Sequence, residues 1–175
     1  MSHWIIAGSG PTRNQVVKDP AYKKKYTTVL CVRRQVPPPF DWDYWLEVHN
    51  WEHVCLSPAY KRWLKAEDAY RILFTERDLK PNLPRSTFID FTAIEEEYGT
   101  EFLTNSIAMA MAYALYQDAE SLSLYGIDQR LGSVYEGQRA GPMHFKALAE
   151  SKGIGITTPP NCGLNQQQQR YPYGR

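Results

Sequence analysis

The stretch that decides the fold covers residues 103–135 and reads LTNSIAMAMAYALYQDAESLSLYGIDQRLGSVY. It begins with small and apolar residues at helical spacing and continues as an alternating strand that ends at Gly126-Ile127-Asp128. A helix followed by such a strand is typical of an α/β sheet, which brings polar groups to the carboxyl edge of its strands. A second glycine-rich strand end, Ile5 to Pro11, lies near the amino terminus. Together the two stretches predict a nucleotide-binding site.

Length and composition favour one domain with one substantial core. The chain has 175 residues, of which 43% are hydrophobic and 22% charged. Its net charge of +1 supplies no basic field of the kind that dominates affinity for nucleic acids. A long nucleic-acid partner is therefore not predicted from charge.

The cysteines and the apolar runs indicate a soluble, cytoplasmic protein. The three cysteines are widely spaced and form no CxxC pair, which argues against a disulfide framework and against a zinc ribbon. No apolar run approaches the ~20 residues that a membrane-spanning helix needs. We therefore expect no membrane span.

The order of elements predicts a single three-layer, Rossmann-like α/β domain with a mainly parallel sheet over residues 1–160. Strands are predicted at 4–7, 26–32, 51–56, 70–74, 121–125 and 154–157, with a short apolar segment at 87–91. Helices are predicted at 59–64, 103–117 and 141–152, and another begins near residue 12 or 14. Residues 161–175 read as a low-complexity tail that we expect to be disordered.

Most of these strands end in polar or turn residues, which predicts one shared ligand crevice at the carboxyl edge of the sheet. Strand ends are often polar for structural reasons alone, so this pattern leaves the crevice an open question. Asp128 is the leading carboxylate at a strand end, where it would hold a ribose hydroxyl, bind a metal or cap its own turn.

The glycine turn at 8–11 and the helix start at 104–106, leading to Leu-Tyr-Gly-Ile-Asp at 124–128, resemble two related families. These are the Rossmann-like bacterial sialyltransferases that use CMP-sialic acid, and the MptE-like proteins, whose archaeal members are hydroxymethylpterin pyrophosphokinases. The resemblance runs through about residues 3–160 and is specific in two blocks, about the first 12 residues and 103–135. It implies transfer of a sugar or diphosphoryl group from a nucleotide or nucleotide-sugar donor, such as a CMP sugar, to a hydroxyl acceptor.

The resemblance also implies which residues hold the nucleotide. Ser9 and Ser57, and a position near Arg34, stand where the sialyltransferases have asparagines, so these contacts change in type. Hydroxyl and amide groups remain at the start of the long helix, where a phosphate or carboxylate would bind. The predicted nucleotide-binding residues are Gly8, Ser9, Gly10, Pro11, Arg34, Ser57, Thr104, Asn105, Ser106 and Asp128.

The catalytic residues implied by the resemblance are Tyr135, Arg130 and His144. Tyr135 matches a tyrosine that donates to the leaving phosphate, and Arg130 replaces a second one with a full charge. Counting without a gap puts Gln138 at the position of the family's histidine base, and glutamine cannot accept a proton. His144 then remains as the base only if the loop before it is shorter.

Other patterns leave alternatives open. Glu47, His49 and His53 are capable of binding a metal, but the second histidine runs into a predicted strand, so we expect no metal site and leave a magnesium requirement open. The aromatic cluster of Trp42, Tyr44, Trp45 and Trp51 would stack on a ligand or belong to the core. There is no P-loop and no Gly-x-Ser-x-Gly elbow.

Two functions are compatible with these observations. The first is a nucleotide-dependent group transferase, of sialyltransferase-like type. The second is a nucleotide-binding or structural protein that keeps the fold without the chemistry, for example an accessory protein of a phage. Oligomeric state stays open.

Overall fold

A computed structural model describes residues 2–32, 36–127, 129 and 136–165. Within these ranges the chain forms one seven-stranded, entirely parallel sheet, in the order β5-β4-β3-β2-β1-β6-β7. The predicted Rossmann-like α/β fold is therefore confirmed. The strands are β1 (His3–Ala7), β2 (Thr27–Cys31), β3 (Tyr44–Glu47), β4 (Ile72–Phe74), β5 (Thr87–Phe88), β6 (Ser121–Tyr125) and β7 (Gly155–Thr157).

Helices cover both faces of the sheet. The α-helices among the described residues are α1 (Trp51–Cys55), α2 (Pro58–Ala66), α3 (Thr92–Tyr98), α4 (Ser106–Tyr116) and α5 (Ala140–Ser151). Short 3₁₀ helices lie at Pro11–Lys18, Arg77–Leu79, Glu136–Gln138 and Gly163–Asn165.

The core is divided by the sheet into two layers, because successive side chains of a strand point to opposite faces. Ile6 faces the layer that is filled by α3, α4 and α5, and it lies beside Leu30 and Leu124. Ile5 faces the other layer, where it packs with the first 3₁₀ helix, α1 and α2. Burial on both sides explains why the strands read as continuous apolar runs.

The predicted third strand at 51–56 is wrong, since those residues form α1 and turn into α2. The Asn50 side chain accepts a hydrogen bond from the His53 backbone N–H at 2.9 Å and so caps α1. Ser57 then caps α2, with Pro58 at its first position, where the missing N–H costs nothing. These local caps outweigh the apolar character of the segment.

The strand that the sequence analysis missed is β3. Its central residue, Trp45, is fully buried and contacts Trp63 with ring centroids 4.4 Å apart. Trp42 and Trp51 are half-buried and pack against the same layer. The aromatic cluster is therefore core rather than a surface for stacking on a ligand.

The ordered fold extends beyond residue 160. Cys162 and Leu164 are 1% and 2% exposed and belong to the core layer of α4. The Cys162 thiol also donates to the Ile127 carbonyl at 3.1 Å. Residues 161–165 are thus part of the domain, and the rest of the predicted tail, 166–175, lies outside the described residues.

None of the helices in the described part of the chain has the length and apolar character required to cross a bilayer.

Candidate functional site

The order of the strands places a crevice beyond the ends of β1 and β6. The chain starts at β1, moves outward through β2 to β5, and returns to the other side of β1 with β6. In open α/β sheets, ligands bind where the strand order reverses in this way. A pocket of about 350 Å³ lies there, lined by Ser9, Gly10, Pro11, Val32, Ser106, Ile107, Gly126, Ile127, Gln129 and Gln138.

The glycine turn builds the floor of this pocket by close contact between two backbones. A Cβ atom at Gly8 would lie 2.4 Å from the Gly126 carbonyl oxygen, and one at Gly126 would lie 2.6 Å from the Gly8 oxygen. Gly126 also has φ +67°, which favours glycine. The two positions therefore have to be glycine for the turns after β1 and β6 to meet.

Hydrogen bonds from the N–H groups of the glycine turn also join it to the end of β6. The Gly8 N–H donates to the Tyr125 carbonyl, and the Gly10 N–H donates to the Gly126 carbonyl, each at 2.8 Å. The Thr12 hydroxyl accepts from the Gly126 N–H at 2.8 Å. Gly10 thus lines the pocket, but its N–H is already bonded to the Gly126 carbonyl and holds the turn together.

The amino end of α4 reaches the pocket through Ser106. Asn105 caps the helix, because its side-chain oxygen accepts from the backbone N–H groups of Ile107 and Ala108 at 3.0 and 3.1 Å. Its amide group donates to the Gln138 carbonyl at 2.6 Å. The backbone N–H groups of Ile107 and Ala108, which a phosphate at this helix end would bind, are therefore already bonded to Asn105. Ser106 is the residue at the helix start that faces the pocket.

Thr104 faces away from the pocket. A Cβ atom at Gly141 would lie 2.8 Å from the Thr104 hydroxyl oxygen, so this side chain packs against the start of α5. Of the three predicted residues at the helix start, only Ser106 lines the pocket.

Three polar groups of pocket-lining residues make no hydrogen bond to any described residue. The Gln129 side-chain oxygen is buried without a partner, in a residue that is 6% exposed. The Ser9 and Ser106 hydroxyls make no hydrogen bond to a described residue. An unsatisfied buried amide oxygen costs about 1–3 kcal/mol. Because this oxygen is inaccessible to solvent, a ligand would recover that cost only if the Gln129 side chain turns toward the pocket.

Gln129 was not identified from the sequence. It lies four residues after the end of β6, and neither its type nor its spacing distinguishes it from an ordinary surface glutamine. Its burial is set by tertiary packing, so only the structure reveals it.

The remaining predicted residues are divided between other environments and the undescribed parts of the chain. Ser57 caps α2 by accepting from the Tyr60 N–H at 3.4 Å, and it does not follow a strand.

The His144 ring stacks on Phe102, with centroids 3.7 Å apart and planes at 3°, and does not line the pocket. Gln138, at the counted position of the base, does line it. Arg34, Asp128, Arg130 and Tyr135 lie outside the described residues.

A second, smaller pocket adjoins the first at the end of β3. It measures about 180 Å³ and is lined by Ser9, Val32, Leu46, Glu47, His49, Tyr60 and Ser106. Ser9, Val32 and Ser106 line both pockets, so the two share a wall. The sequence did not predict this site because it did not predict β3, whose last residue is Glu47.

A buried hydrogen-bonded cluster forms one side of the second pocket. Glu47 is 2% exposed, and one of its oxygens accepts from the His49 backbone N–H at 2.8 Å and contacts His49 Nδ1 at 2.5 Å. The Tyr60 hydroxyl donates to the other oxygen and accepts from Trp45 Nε1, the latter at 2.9 Å. Burial alone would raise the pKa of Glu47, but the hydrogen bonds from His49 and Tyr60 outweigh it and hold that pKa below its ordinary value.

His53 lies against this cluster without forming a metal site. Its ring stacks on His49 with centroids 4.4 Å apart and planes at 12°. Across the ranges described above, no group of three or more His, Cys, Asp or Glu residues is arranged to hold a metal ion.

Comparison of the chain with family models, with curated proteins and with solved structures gave no match. The likeness to sialyltransferases and MptE-like proteins therefore stays a prediction.

Proposed function

We propose that the pocket beyond β1 and β6 binds a nucleotide or a nucleotide-activated donor, and that the protein transfers a group from this donor to a hydroxyl acceptor. The observation that carries the proposal is the position of the pocket at the reversal of strand order, between the glycine turn and the start of α4. Its volume of about 350 Å³ falls within the usual range for small-molecule sites.

The polar groups on the pocket wall fit such a ligand. The Gln129 oxygen, once its side chain turns toward the pocket, would accept from a base amino group or a ribose hydroxyl, and the Ser9 and Ser106 hydroxyls would bind phosphate or sugar oxygens. The undescribed Arg130 and Tyr135, which follow Gln129 closely in the sequence, are the proposed donors to the leaving phosphate.

The alternative is a nucleotide-binding protein without chemistry, and one observation favours it. Among the described residues, the histidine implied by the resemblance, His144, is stacked on Phe102 outside the pocket, and the pocket has Gln138 instead. A transferase therefore needs a different proton acceptor near the same pocket.

The proposal is tested by thermal-shift measurements with CMP, CDP, UDP, GDP and ATP and their common sugar conjugates, with and without Mg²⁺. A ligand that binds the native state raises the melting temperature by mass action. We expect a selective shift with one nucleotide class, which Gln129→Met reduces because the acceptor oxygen is lost. Gln117→Met, at an exposed glutamine that follows α4, is the matched control and should leave the shift unchanged.

The absence of any shift at millimolar nucleotide would contradict the proposed binding. A shift with a nucleotide, combined with no release of that nucleotide from its sugar conjugate in the presence of hydroxyl compounds, would favour the non-catalytic alternative.

A further inference from the structure

We propose that His49 is the proton acceptor for the hydroxyl acceptor of the transfer reaction, that the smaller pocket holds this acceptor, and that Glu47 is the residue that positions His49. This inference rests on the proposed function, because the donor has to occupy the adjoining pocket. The shared wall of Ser9, Val32 and Ser106 brings molecules in the two pockets next to each other.

The hydrogen bonds around Glu47 determine which nitrogen of His49 carries a proton. An ionised carboxylate accepts hydrogen bonds and donates none, and the lowered pKa keeps Glu47 ionised. His49 Nδ1, at 2.5 Å from the carboxylate, therefore has to be the donor. When the ring is neutral with its proton on Nδ1, Nε2 is unprotonated and is the atom able to take the proton.

A buried carboxylate needs specific hydrogen-bond partners, and His49 supplies two of the bonds that hold Glu47. Among the described residues, no arginine or lysine neutralises it, and its close contact is with the partly exposed His49. Removing a carboxylate from water costs several kcal/mol, and replacing such a group by apolar residues is often neutral or stabilising. A buried carboxylate that holds the Nδ1 edge of a pocket histidine has the arrangement expected of an orienting residue.

The ring of His49 is positioned from two directions and still reaches solvent. Glu47 holds its Nδ1 edge, while His53 stacks on its face at 4.4 Å. The side chain of His49 is 38% exposed, so a proton taken from the acceptor can pass on to water.

Proton transfer to His49 accompanies the displacement of the nucleotide phosphate. The O–H bond of the acceptor breaks and its proton passes to His49 Nε2, while the acceptor oxygen forms a bond to the transferred group. The bond between that group and the phosphate oxygen of the nucleotide breaks, and its electron pair leaves with the phosphate. The Glu47 carboxylate stabilises the imidazolium that results.

The first test needs no ligand. Nitrogen-15 NMR of the histidine rings in the full-length protein, in mildly alkaline buffer, should show His49 as the Nδ1–H tautomer. Glu47→Gln should abolish this preference, because a carboxamide can donate to Nδ1 as well as accept from it. Tyr60→Phe is the matched control, since it removes one donor to Glu47 but keeps the contact with His49, and the tautomer should persist. An Nε2–H tautomer in the unaltered protein would overturn the inference.

The second test measures turnover and nucleotide binding in parallel. The probes are CMP-N-acetylneuraminate, UDP-glucose and GDP-mannose with glycerol as hydroxyl acceptor, and the readout is nucleotide release. His49→Gln should lower turnover by about 10²–10⁴-fold while the thermal shift with the nucleotide is retained. His3→Gln, the same change at the opposite end of the sheet, is the control. Turnover of His49→Gln within about twofold of the unaltered protein, or loss of turnover in His144→Gln instead, would refute the role of His49.

The two proposals fail in different ways. If no nucleotide shifts the melting temperature, the proposed function fails even where the His49 tautomer is as expected. If the nucleotide binds and the tautomer is Nε2–H, or His49→Gln keeps its turnover, the proposed function stands and the role of His49 fails.

Discussion

Replacing Gly8 by alanine should destabilise the fold through a single clash. The added Cβ would lie 2.4 Å from the Gly126 carbonyl oxygen, whereas ordinary contacts begin at 3.4 Å. Relief requires that the two backbones part by about 1 Å, which removes or weakens the 2.8 Å hydrogen bond from the Gly10 N–H to the same oxygen. Overpacking costs about 1–3 kcal/mol and a lost hydrogen bond about 1 kcal/mol, so we expect a loss of about 2–4 kcal/mol.

Urea and thermal unfolding followed by circular dichroism measure this loss. For a chain of this size, each 1 kcal/mol lowers the melting temperature by about 2–4 °C, which gives a decrease of about 4–16 °C. Gly155→Ala is the matched control, because no heavy atom lies within 4 Å of the Cβ position there, and its effect should stay below about 0.5 kcal/mol. A Gly8→Ala protein as stable as the Gly155→Ala protein would refute the close-contact argument.

Three further predictions concern buried polar groups. Gln129→Met should leave the free energy of unfolding unchanged or raise it, because it removes an unsatisfied buried oxygen, and a clear loss in urea unfolding would show that this oxygen has a partner. Glu47→Gln should be less stable than the unaltered protein at neutral pH, because a pKa that is lower in the folded state stabilises the fold above the unfolded value near 4.5. The difference in unfolding free energy between the two proteins should vanish as the pH falls through the folded-state pKa of Glu47. A difference that stays constant in urea titrations across this pH range would contradict the prediction. Burial lowers the pKa of His3 from 6.5 and the nearby Asp19 only partly opposes this, so the folded protein binds fewer protons and its stability should decrease as the pH falls below about 6.5; unfolding of His3→Gln should lack this component, and an identical pH slope would count against it.

The parallel sheet was predictable from the sequence because most strands are continuous apolar runs that end in turn residues. β1 and β6 carry this pattern together with their glycines, and the structure places them side by side. The glycine turn and Ser106 were also predicted for the site, and Ser9, Gly10, Pro11 and Ser106 line its larger pocket, whereas Gly8 does not.

The region between β2 and β4 was not predictable in the same way. The aromatic residues of β3 suit a strand, a ligand surface or a helix packed in the core, and their location depends on the partners that fold around Trp45. Local caps, Asn50 and Ser57, decide that residues 51–56 are helical. Because the end of β3 was missed, the second pocket with Glu47 and His49 was missed as well.

The side chain of Asn105 joins the amino end of α4 to the segment before α5. Its oxygen holds the amide protons of Ile107 and Ala108, and its nitrogen holds the Gln138 carbonyl on the pocket wall. Any motion that carries Gln138 away from α4 pulls on the same side chain that protects those two protons. The hydrogen-exchange rates of the Ile107 and Ala108 amides should therefore report how often the pocket wall opens, and they can be measured in the free protein before any ligand is known.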